Sequence, residues 1–346
     1  MKVAIISPHS LRAWGGGEKW IFSVGNLLSQ NGIEVKVYCL DYSQGDQFRV
    51  NEKFIRENSL FEYEEIKHSK GSLKPLGMTS PPRLDADVVY TIGGYFKFLK
   101  QVLDVGIPTI FGFHDPALHN PSNLLQKRIV NTLFPRFDLI HLLSANGESM
   151  IRGKTKYYIL PNTWFREIPQ PMVKFNRFTV LFAGRHEVSK GIETLKFVIE
   201  RLPGDIDLII AGSGMSSGSL LSERKNIKIV GFVDEDTLTS LMARSHVLLF
   251  PSHSEVSSLT SIESLALTTP VIFRNIPNNE QLIGKPLCMR AENNDDFLSC
   301  ILELKLIYER DKENYLQECR RLPYLLKPAK SYIDEFVRNI LSAAIS

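Results

Sequence analysis

Two cations in the second half of the chain have a spacing that suits the binding of an anionic ligand. Arg185 and Lys190 flank a turn in FAGRHEVSKG, between a predicted strand and a predicted helix. A guanidinium and an ammonium on one loop can bind a diphosphate through charge-assisted hydrogen bonds. The alternative is a pair of solvated loop cations, and the residues that follow in the chain decide between the two.

Two glutamates follow in PSHSEVSSLTSIE, at positions 255 and 263. Eight residues of helix span about 12 Å, which exceeds the roughly 5 to 9.5 Å between the carboxyl groups of a glycosidase pair. We therefore predict separate tasks, with Glu255 on sugar hydroxyls and Glu263 on ribose hydroxyls, although Glu263 could also be an ordinary polar helix position. A helix that starts near Ser258 would direct free N–H groups at a phosphate.

Glycines end two further predicted strands of this half. Gly212 and Gly214 lie in AGSG, where a backbone without Cβ atoms can approach a ligand closely. The motif lacks the third glycine and the downstream acid of a dinucleotide fingerprint, so it does not predict an NAD site. Gly231 and Phe232 form either a loop that contacts a nucleobase or a simple turn.

Short β-branched runs alternate with amphipathic segments along the whole chain, which is typical of βαβ units around parallel sheets. The sequence predicts an α/β protein with two such halves in tandem. Predicted strands are 3–7, 35–40, 88–92, 108–114, 139–144, 157–161, 180–183, 206–211, 227–232, 247–251 and 271–274. Predicted helices are 18–30, 95–105, 120–134, 190–201, 235–244, 258–267 and 295–308.

The length of 346 residues exceeds the usual limit of one hydrophobic core, so we expect two domains. We place the first at 1–163, a proline-rich linker at 164–177 and the second at 178–330. The last segment, 331–344, has apolar residues spaced for one helical face and is expected to pack back on the first domain.

Composition narrows the possible partners and the compartment. A net charge of only +3 gives no global electrostatic case for nucleic acid. Cys39, Cys288, Cys300 and Cys319 form no CxxC pair, which favours reduced thiols over a zinc site. The chain shows neither a signal-peptide core nor an apolar run of membrane-spanning length, so a cytoplasmic protein, with possible peripheral contact to a membrane face, is expected.

The motifs FAGRHEVSKG, AGSG, VGFV and SEVSSLTSIESLALTTPVI resemble the carboxyl-terminal domain of glycosyltransferase family 4, whose members are retaining enzymes of the GT-B fold. MKVAIIS, the glycines 15–17, GIPTIFGFHD, FDLIHLLSA and YYILPN extend the similarity more weakly to the first domain. The resemblance implies two Rossmann-like domains that face each other across a cleft.

The resemblance also implies roles for particular residues. Arg185 and Lys190 would bind the donor pyrophosphate, Glu255 the donor sugar and Glu263 the ribose. Gly16 and Gly17 would approach the donor phosphates or the acceptor. The remaining implied contacts of the donor are Gly212, Gly214, Phe232, Val256, Ser257, Ser258 and Leu259. His114 falls on the family's active-site histidine, although from sequence alone it is as well explained by a structural position at a strand end.

The implied reaction moves a sugar from a nucleoside diphosphate sugar, with UDP- or GDP-sugars favoured, to the hydroxyl of a glycan or a lipid-linked acceptor. Because no DxD signature is positioned to hold a metal ion at this site, we expect basic residues in place of a metal and no cofactor. Two alternatives stay open, a nucleotide-sugar epimerase of the same architecture and a noncatalytic partner of another transferase. The acid-free basic segment 67–83 could meet an anionic acceptor or simply be solvated.

The chain departs from the family pattern at one point. The family has glycine before the proline of A-x-G-x-P, whereas this chain reads ALTTP and has Thr268 at the glycine position. A left-handed backbone is costly for a β-branched residue. We therefore expect the turn after this helix to differ from that of the family.

Overall fold

The computed structural model describes residues 1–7, 9–41, 50, 52–67, 83–93, 96–114, 124–214, 220 and 223–345. The chain divides into two compact units. Unit 1 comprises Met1–Pro161 together with Ala329–Ser346, and unit 2 comprises Asn162–Pro328. Each is described by itself below.

The core of unit 1 is a parallel sheet with the strand order β3-β2-β1-β4-β5-β6-β7. Its central strands are mostly apolar and are buried over their whole length, as expected for a sheet covered on both faces. The strands are β1 Lys2–Ser7, β2 Glu34–Asp41, β3 Glu62–Lys67, β4 Val88–Thr91, β5 Thr109–Phe113, β6 Leu139–Leu142 and β7 Tyr157–Ile159.

Helices connect these strands. They are α1 Gly16–Gln30, α2 Glu52–Asn58, α3 Phe96–Leu103, α4 Leu124–Arg128 and α5 Glu148–Ile151. The first begins at a capping box in which the Glu18 carboxylate accepts a hydrogen bond from the Gly15 amide at 2.8 Å. This contact satisfies one of the amides that a helix start leaves unpaired.

Unit 2 contains a second parallel sheet, with the order β10-β9-β8-β11-β12-β13. The strands are β8 Thr179–Ala183, β9 Asp207–Ala211, β10 Ile227–Gly231, β11 Val247–Phe250, β12 Val271–Arg274 and β13 Met289–Ala291. The helices are α6 Ile192–Arg201, α7 Glu235–Arg244, α8 Leu259–Ala266, α9 Asn294–Arg310 and α10 Lys312–Arg321. In both sheets the order reverses direction beside the first strand of the unit, which is where doubly wound folds bind ligands.

The final helix, α11 Ala329–Ile345, belongs to unit 1. The indole Nε1 of Trp20 on α1 donates a hydrogen bond to the Tyr332 hydroxyl at 3.0 Å. The ring of Phe336, one turn later, lies 5.7 Å from that of Trp20. The apolar face of the last helix therefore contributes to the core of the first unit.

The proline-rich stretch 164–177, which we predicted as a linker, lies within unit 2. The Phe175 amide hydrogen-bonds to the Arg244 carbonyl at 2.8 Å, and the Arg244 guanidinium lies 4.4 Å from the Phe175 ring. Prolines exclude regular secondary structure in this stretch, but they do not prevent it from packing against the rest of unit 2. The proline content predicted the first property and could not predict the second.

The turn after α8 contradicts the expected departure from the family backbone. Thr268 adopts φ 59°, the left-handed conformation that the sequence made unfavourable. The Lys174 ammonium donates hydrogen bonds to the Thr268 carbonyl at 2.9 Å and to the Thr269 hydroxyl at 2.8 Å. These bonds hold the strained turn in place, and burial lowers the Lys174 pKa to about 8.

The four cysteines are free thiols, of which Cys39 and Cys319 are buried. No helix in the described part of the chain combines the length and the apolar composition that crossing a bilayer requires. Of the basic segment 67–83, residues 68–82 lie outside the described residues, so its predicted contact with an acceptor stays a prediction.

Candidate functional site

The charged residues predicted from sequence lie at the carboxyl ends of adjacent strands in unit 2. Arg185 and Lys190 follow β8, and Glu255 follows β11, which pairs directly with β8. Gly212 follows β9, the neighbour of β8 on the other side. The sheet order thus brings the ends of these three strands together at one edge.

Lys190 and Glu255 form an ion pair. The Lys190 Nζ lies 2.6 Å from the Glu255 Oε1, and the two side chains are only 25% and 10% exposed. The low exposure means that this pair is screened less by solvent than an ordinary surface pair. A cation and a carboxylate, 65 residues apart in sequence, are therefore placed in one polar cluster.

Backbone contacts fix the loops that carry this pair. The His253 amide donates to the Ser189 carbonyl at 2.9 Å, which links the loop after β11 to the loop after β8. A Cβ atom on Gly191, where φ is 75°, would lie 2.3 Å from the Pro251 carbonyl oxygen. The Arg274 guanidinium donates to the same Pro251 oxygen at 3.0 Å. The two loops are therefore held in contact at the point where Lys190 meets Glu255.

The glycines after β9 allow a second close backbone contact. Gly212 adopts φ 121°, and a Cβ atom there would lie 1.9 Å from the Gly184 carbonyl oxygen. A Cβ atom on Gly214 would lie 2.8 Å from the His186 backbone. The packing of unit 2 by itself therefore requires glycine at both positions, in addition to the donor contact predicted for them.

Arg185 has an acidic neighbour in its own loop. Its guanidinium lies 3.2 Å from the Glu187 carboxylate, and the arginine side chain is 54% exposed. Glu187 also accepts a hydrogen bond on its backbone carbonyl from the Lys190 amide at 3.0 Å. The loop that was predicted to bind an anion therefore contains a carboxylate that an anion would have to displace from Arg185.

The start of α8 is capped and anchored. The Ser258 hydroxyl caps the helix by accepting from the Ser261 amide at 3.3 Å. Ser257 accepts from Asn162 twice, on its hydroxyl at 3.1 Å and on its carbonyl at 2.8 Å. The amide of Asn278 donates to the Glu255 carbonyl. Asn162 and Asn278 position this loop, and sequence reasoning missed both, although Asn162 ends the YYILPN motif.

The remaining predicted residues of unit 2 lie nearby in sequence but differ in exposure. Glu263 lies on α8, Val256 is buried, and Leu259 is half-buried at the first position of that helix. Phe232 follows β10 and is 45% exposed. The donor contacts predicted for these residues stay predictions.

In unit 1 the predicted glycines open α1. Gly16 and Gly17 are the first two residues of that helix. A Cβ atom on Gly17 would lie 3.5 Å from Ile92, whereas one on Gly16 would meet no atom of the described chain within 4 Å. No packing contact in the described residues therefore requires glycine at position 16.

His114 lies directly after β5 in a buried aromatic cluster of unit 1. Its Nε2 is 3.2 Å from the Tyr90 hydroxyl, which is itself 2.6 Å from Nδ1 of His141. The Trp20 ring packs edge-on against His114 at 4.5 Å. Burial, and then the neighbouring His141, hold the His114 pKa well below its usual range, so the ring is neutral at pH 7. Sequence reasoning had not connected Tyr90 and His141 with His114.

Groups of three or more His, Cys, Asp or Glu side chains that could hold a metal ion do not occur among the described residues.

Residues 177–305 match the family model of glycosyl transferases group 1. An uncharacterized glycosyltransferase of Methanocaldococcus jannaschii is 31% identical over 115 residues, which are 30% of this chain and 29% of that protein. The alpha-galactosylglucosyldiacylglycerol synthase of Streptococcus pneumoniae is 29% identical over 212 residues, 53% of this chain and 54% of that protein. The matches therefore span about a third and about half of these relatives.

The solved structure of Anabaena HepE in complex with UDP-glucose is similar over 99% of this chain and 100% of that one, with a TM-score of 0.77 at 14% identity. The two parallel α/β sheets are thus those of the GT-B glycosyltransferase fold. The resemblance to glycosyl transferases group 1 is confirmed for the segment that carries Arg185, Lys190, Glu255 and Glu263.

Proposed function

We propose that this protein is a glycosyltransferase that moves a sugar from a nucleoside diphosphate sugar to an acceptor hydroxyl, with retention at the anomeric carbon. The observation that carries the proposal is the Lys190–Glu255 pair at 2.6 Å, located beside the capped start of α8 within the segment that matches the family model. This cluster offers a cation and helix amides to a phosphate, and a carboxylate to hydroxyl groups.

In this proposal Lys190, Arg185 and the amides at the start of α8 bind the diphosphate. As the bond to the sugar breaks, negative charge grows on the leaving diphosphate, and these groups stabilise it more strongly than they stabilise the bound donor. Glu255 then orients the sugar hydroxyls, and Glu263 binds the ribose. The reaction requires no metal or cofactor, because fixed cations supply the positive charge.

Unit 1 contributes His114 and the open position at Gly16 to the proposed reaction. His114 hydrogen-bonds a hydroxyl of the donor sugar, and the missing side chain at Gly16 permits a phosphate or the acceptor to approach the first turn of α1. The names of relatives include glycolipid synthases, and HepE was solved with UDP-glucose. We therefore favour a UDP-sugar donor and a lipid-linked or glycan acceptor, with peripheral contact to a membrane.

The proposal is tested first by donor binding and then by product analysis. UDP-glucose, UDP-galactose, UDP-N-acetylglucosamine and the corresponding GDP- and ADP-sugars are screened by thermal shift, because a ligand of the native form raises its stability. Donors that bind are incubated with diacylglycerol, glycolipid and oligosaccharide acceptors in excess chelator. A glycosylated product with retained anomeric configuration supports the proposal.

Lys190→Ala is expected to lower transfer about 10²- to 10³-fold, the loss typical of one removed electrostatic group. Lys196→Ala is the matched control, because Lys196 is a lysine of α6 one turn beyond the start of that helix. Lys190→Ala also leaves the Glu255 carboxylate without its cation. The double variant Lys190→Met with Glu255→Gln removes both charges, so the free energies of unfolding of the two variants show whether the unpaired carboxylate destabilises the fold. Donor turnover of Lys190→Ala near the wild-type rate contradicts the assignment.

Two other outcomes would replace the proposal. Conversion of the nucleotide sugar into an epimer without any acceptor would make the protein an epimerase. Binding of a donor with no turnover across the whole acceptor panel would make it a noncatalytic partner. Activity restored only by added divalent metal would contradict the metal-independent mechanism.

A further inference from the structure

A chain of hydrogen bonds crosses three adjacent strands of unit 1 and ends at His114. Tyr90 lies on β4 and His141 on β6, and β5 runs between them. Gly112 of β5 stands opposite His141 in the strand register. A Cβ atom on Gly112 would lie 2.2 Å from the Tyr90 hydroxyl oxygen. The phenol can therefore reach His141 only because position 112 carries no side chain.

The direction of these hydrogen bonds follows from a backbone carbonyl at one end. His141 Nε2 lies 2.8 Å from the Leu160 carbonyl oxygen, which can only accept, so Nε2 must carry a proton. Burial lowers the His141 pKa to about 4, and the ring is therefore neutral at pH 7. A neutral imidazole has one protonated nitrogen, so Nδ1 of His141 is an acceptor.

The next bond is determined in turn. The Tyr90 hydroxyl lies 2.6 Å from His141 Nδ1, and burial raises the Tyr90 pKa well above its usual range. The neutral phenol therefore donates its single proton to His141. Toward His114 Nε2, at 3.2 Å, the Tyr90 oxygen can then only accept, so this nitrogen of His114 must donate.

We propose that Tyr90 and His141 are positioning residues that fix His114 as the Nε2–H tautomer and leave its Nδ1 as a hydrogen-bond acceptor for a hydroxyl of the ligand. The inference rests on the proposed function insofar as the hydroxyl belongs to a donor sugar. The tautomer itself follows from unit 1 alone. A sugar hydroxyl that meets Nδ1 must therefore donate its proton and accept from some other group.

The surrounding rings hold this arrangement in place. Trp20 stacks on Tyr90 with ring centroids 5.3 Å apart, and Tyr158 stacks on His141 at 4.6 Å with an interplanar angle of 3°. Phe336 of the last helix lies 5.4 Å from the Tyr90 ring. Because Tyr158 stacks flat on His141, this histidine cannot exchange the roles of its two nitrogens by flipping without disturbing the core.

The tautomer is measured directly by ¹H–¹⁵N correlation spectra of protein labelled at histidine, with the His114 signals assigned through their loss in His114→Gln. The wild type is expected to show His114 protonated at Nε2. Tyr90→Phe removes only the hydroxyl and is expected to make the Nδ1–H form visible. His141→Phe is expected to reverse the tautomer, because Tyr90, no longer bonded to His141, turns its proton toward His114 Nε2.

Tyr158→Phe is the matched control. The Tyr158 hydroxyl is buried and its ring stacks on His141, but it has no hydrogen-bond partner among the described residues. The control removes the same atom from the same cluster and is expected to leave the His114 tautomer unchanged. With UDP-glucose as the probe, Tyr90→Phe and His141→Phe are expected to lower turnover about tenfold, and Tyr158→Phe to retain it.

The outcomes separate this inference from the proposed function. A His114 that is protonated at Nδ1 in the wild type, or that keeps a pure Nε2–H form in Tyr90→Phe, overturns the positioning role whatever the activity. The expected tautomers with unchanged turnover in both variants overturn the claim that Nδ1 serves the ligand. An absence of turnover in the wild type contradicts the proposed function and leaves the tautomer result valid. If His141→Phe does not fold, the His114 tautomer and the turnover of Tyr90→Phe alone test the positioning role.

Discussion

The carboxyl ends of the two sheets carry different chemistry on the same architecture. In unit 2 the polar groups are charged, they lie on loops after the strands, and Lys190 and Glu255 meet at 2.6 Å. In unit 1 they are neutral and aromatic, and Tyr90 and His141 lie inside strands, where each is almost completely buried. The difference follows from desolvation, because a charge buried in a sheet needs a partner, whereas a neutral ring needs only a hydrogen bond.

The two regions also differ in what holds them rigid. The loops of unit 2 depend on backbone contacts that only glycine allows, as between Gly212 and Gly184. The cluster of unit 1 depends on ring packing around Trp20 and on hydrogen bonds that end at the Leu160 carbonyl. A side chain at Gly212 should therefore displace a loop of unit 2, whereas protonation of His141 should disturb the ring cluster of unit 1.

Gly212→Ala is expected to have the largest effect. A Cβ atom would lie 1.9 Å from the Gly184 oxygen in a backbone of φ 121°, so both strain and overlap must be relieved by moving the loop. We expect the free energy of unfolding to fall by about 2 to 4 kcal/mol, measured by urea denaturation.

Gly16→Ala is the matched control for that change, because a Cβ atom there meets nothing within 4 Å in the described residues and the backbone is helical. The variant should be at least as stable as the wild type, since alanine favours a helix over glycine. Equal losses in the two variants would refute the proposed difference between the units. A stable Gly16→Ala that binds UDP-glucose weakly would support close approach of the ligand.

Acidification provides the converse test for unit 1. The His141 pKa is about 4 in the folded protein against 6.5 for the free side chain. Between these values the unfolded chain takes up a proton that the folded chain does not, so the free energy of unfolding falls as pH drops, by about 3 kcal/mol for this residue. His141→Phe lacks this contribution.

The stability difference between wild type and His141→Phe should therefore shrink as the pH is lowered from neutral to about 4. Urea denaturation at several pH values measures this difference. The carboxylates titrate in both proteins, so their contribution cancels when one free energy of unfolding is subtracted from the other. His246→Phe makes a parallel test in unit 2, because burial lowers the His246 pKa to about 3. A difference that stays constant with pH would mean that His141 binds protons equally in the folded and unfolded states, so that burial does not lower its pKa.

The sequence predicted most of the fold because strands buried on both faces are recognisable as short apolar runs. The predicted helix 235–244 coincides with α7, and the strands of unit 2 around the charged residues agree within a residue or two. The sequence did not predict β3, whose run EYEEIK carries three acids, or β13, which has only three residues. The charged helix α10 was also missed, because its apolar face is short.

The candidate site could be predicted only at positions where the residue type itself, such as a charged residue, indicates a chemical role. Lys190 and Glu255 were predicted as site residues because charged residues after strands are conspicuous, and the structure places the two in contact. Asn162, Asn278 and His141 were missed because their importance depends on contacts with residues distant in the chain. Such contacts leave no local pattern, and a lone tyrosine within a strand reads as part of the core.

Thr268→Gly is expected to have the smallest effect and the opposite sign. A left-handed conformation costs an L-residue with a side chain about 1 to 2 kcal/mol, and glycine removes that cost while adding about 0.5 to 1 kcal/mol of backbone entropy. Since Lys174 binds the Thr268 carbonyl and the Thr269 hydroxyl rather than the Thr268 side chain, its bonds survive the change.

These ranges give a net gain between zero and about 1.5 kcal/mol, and at about 2 to 4 °C per kcal/mol this is a rise in Tm of at most about 6 °C, measured by calorimetry. Lys174→Met separates the two contributions to this turn, because it removes the buried ammonium and leaves the carbonyl without that donor. It should lower Tm in the wild-type background and lower it less when glycine occupies position 268. Equal losses in both backgrounds would mean that the lysine stabilises unit 2 independently of the strained turn.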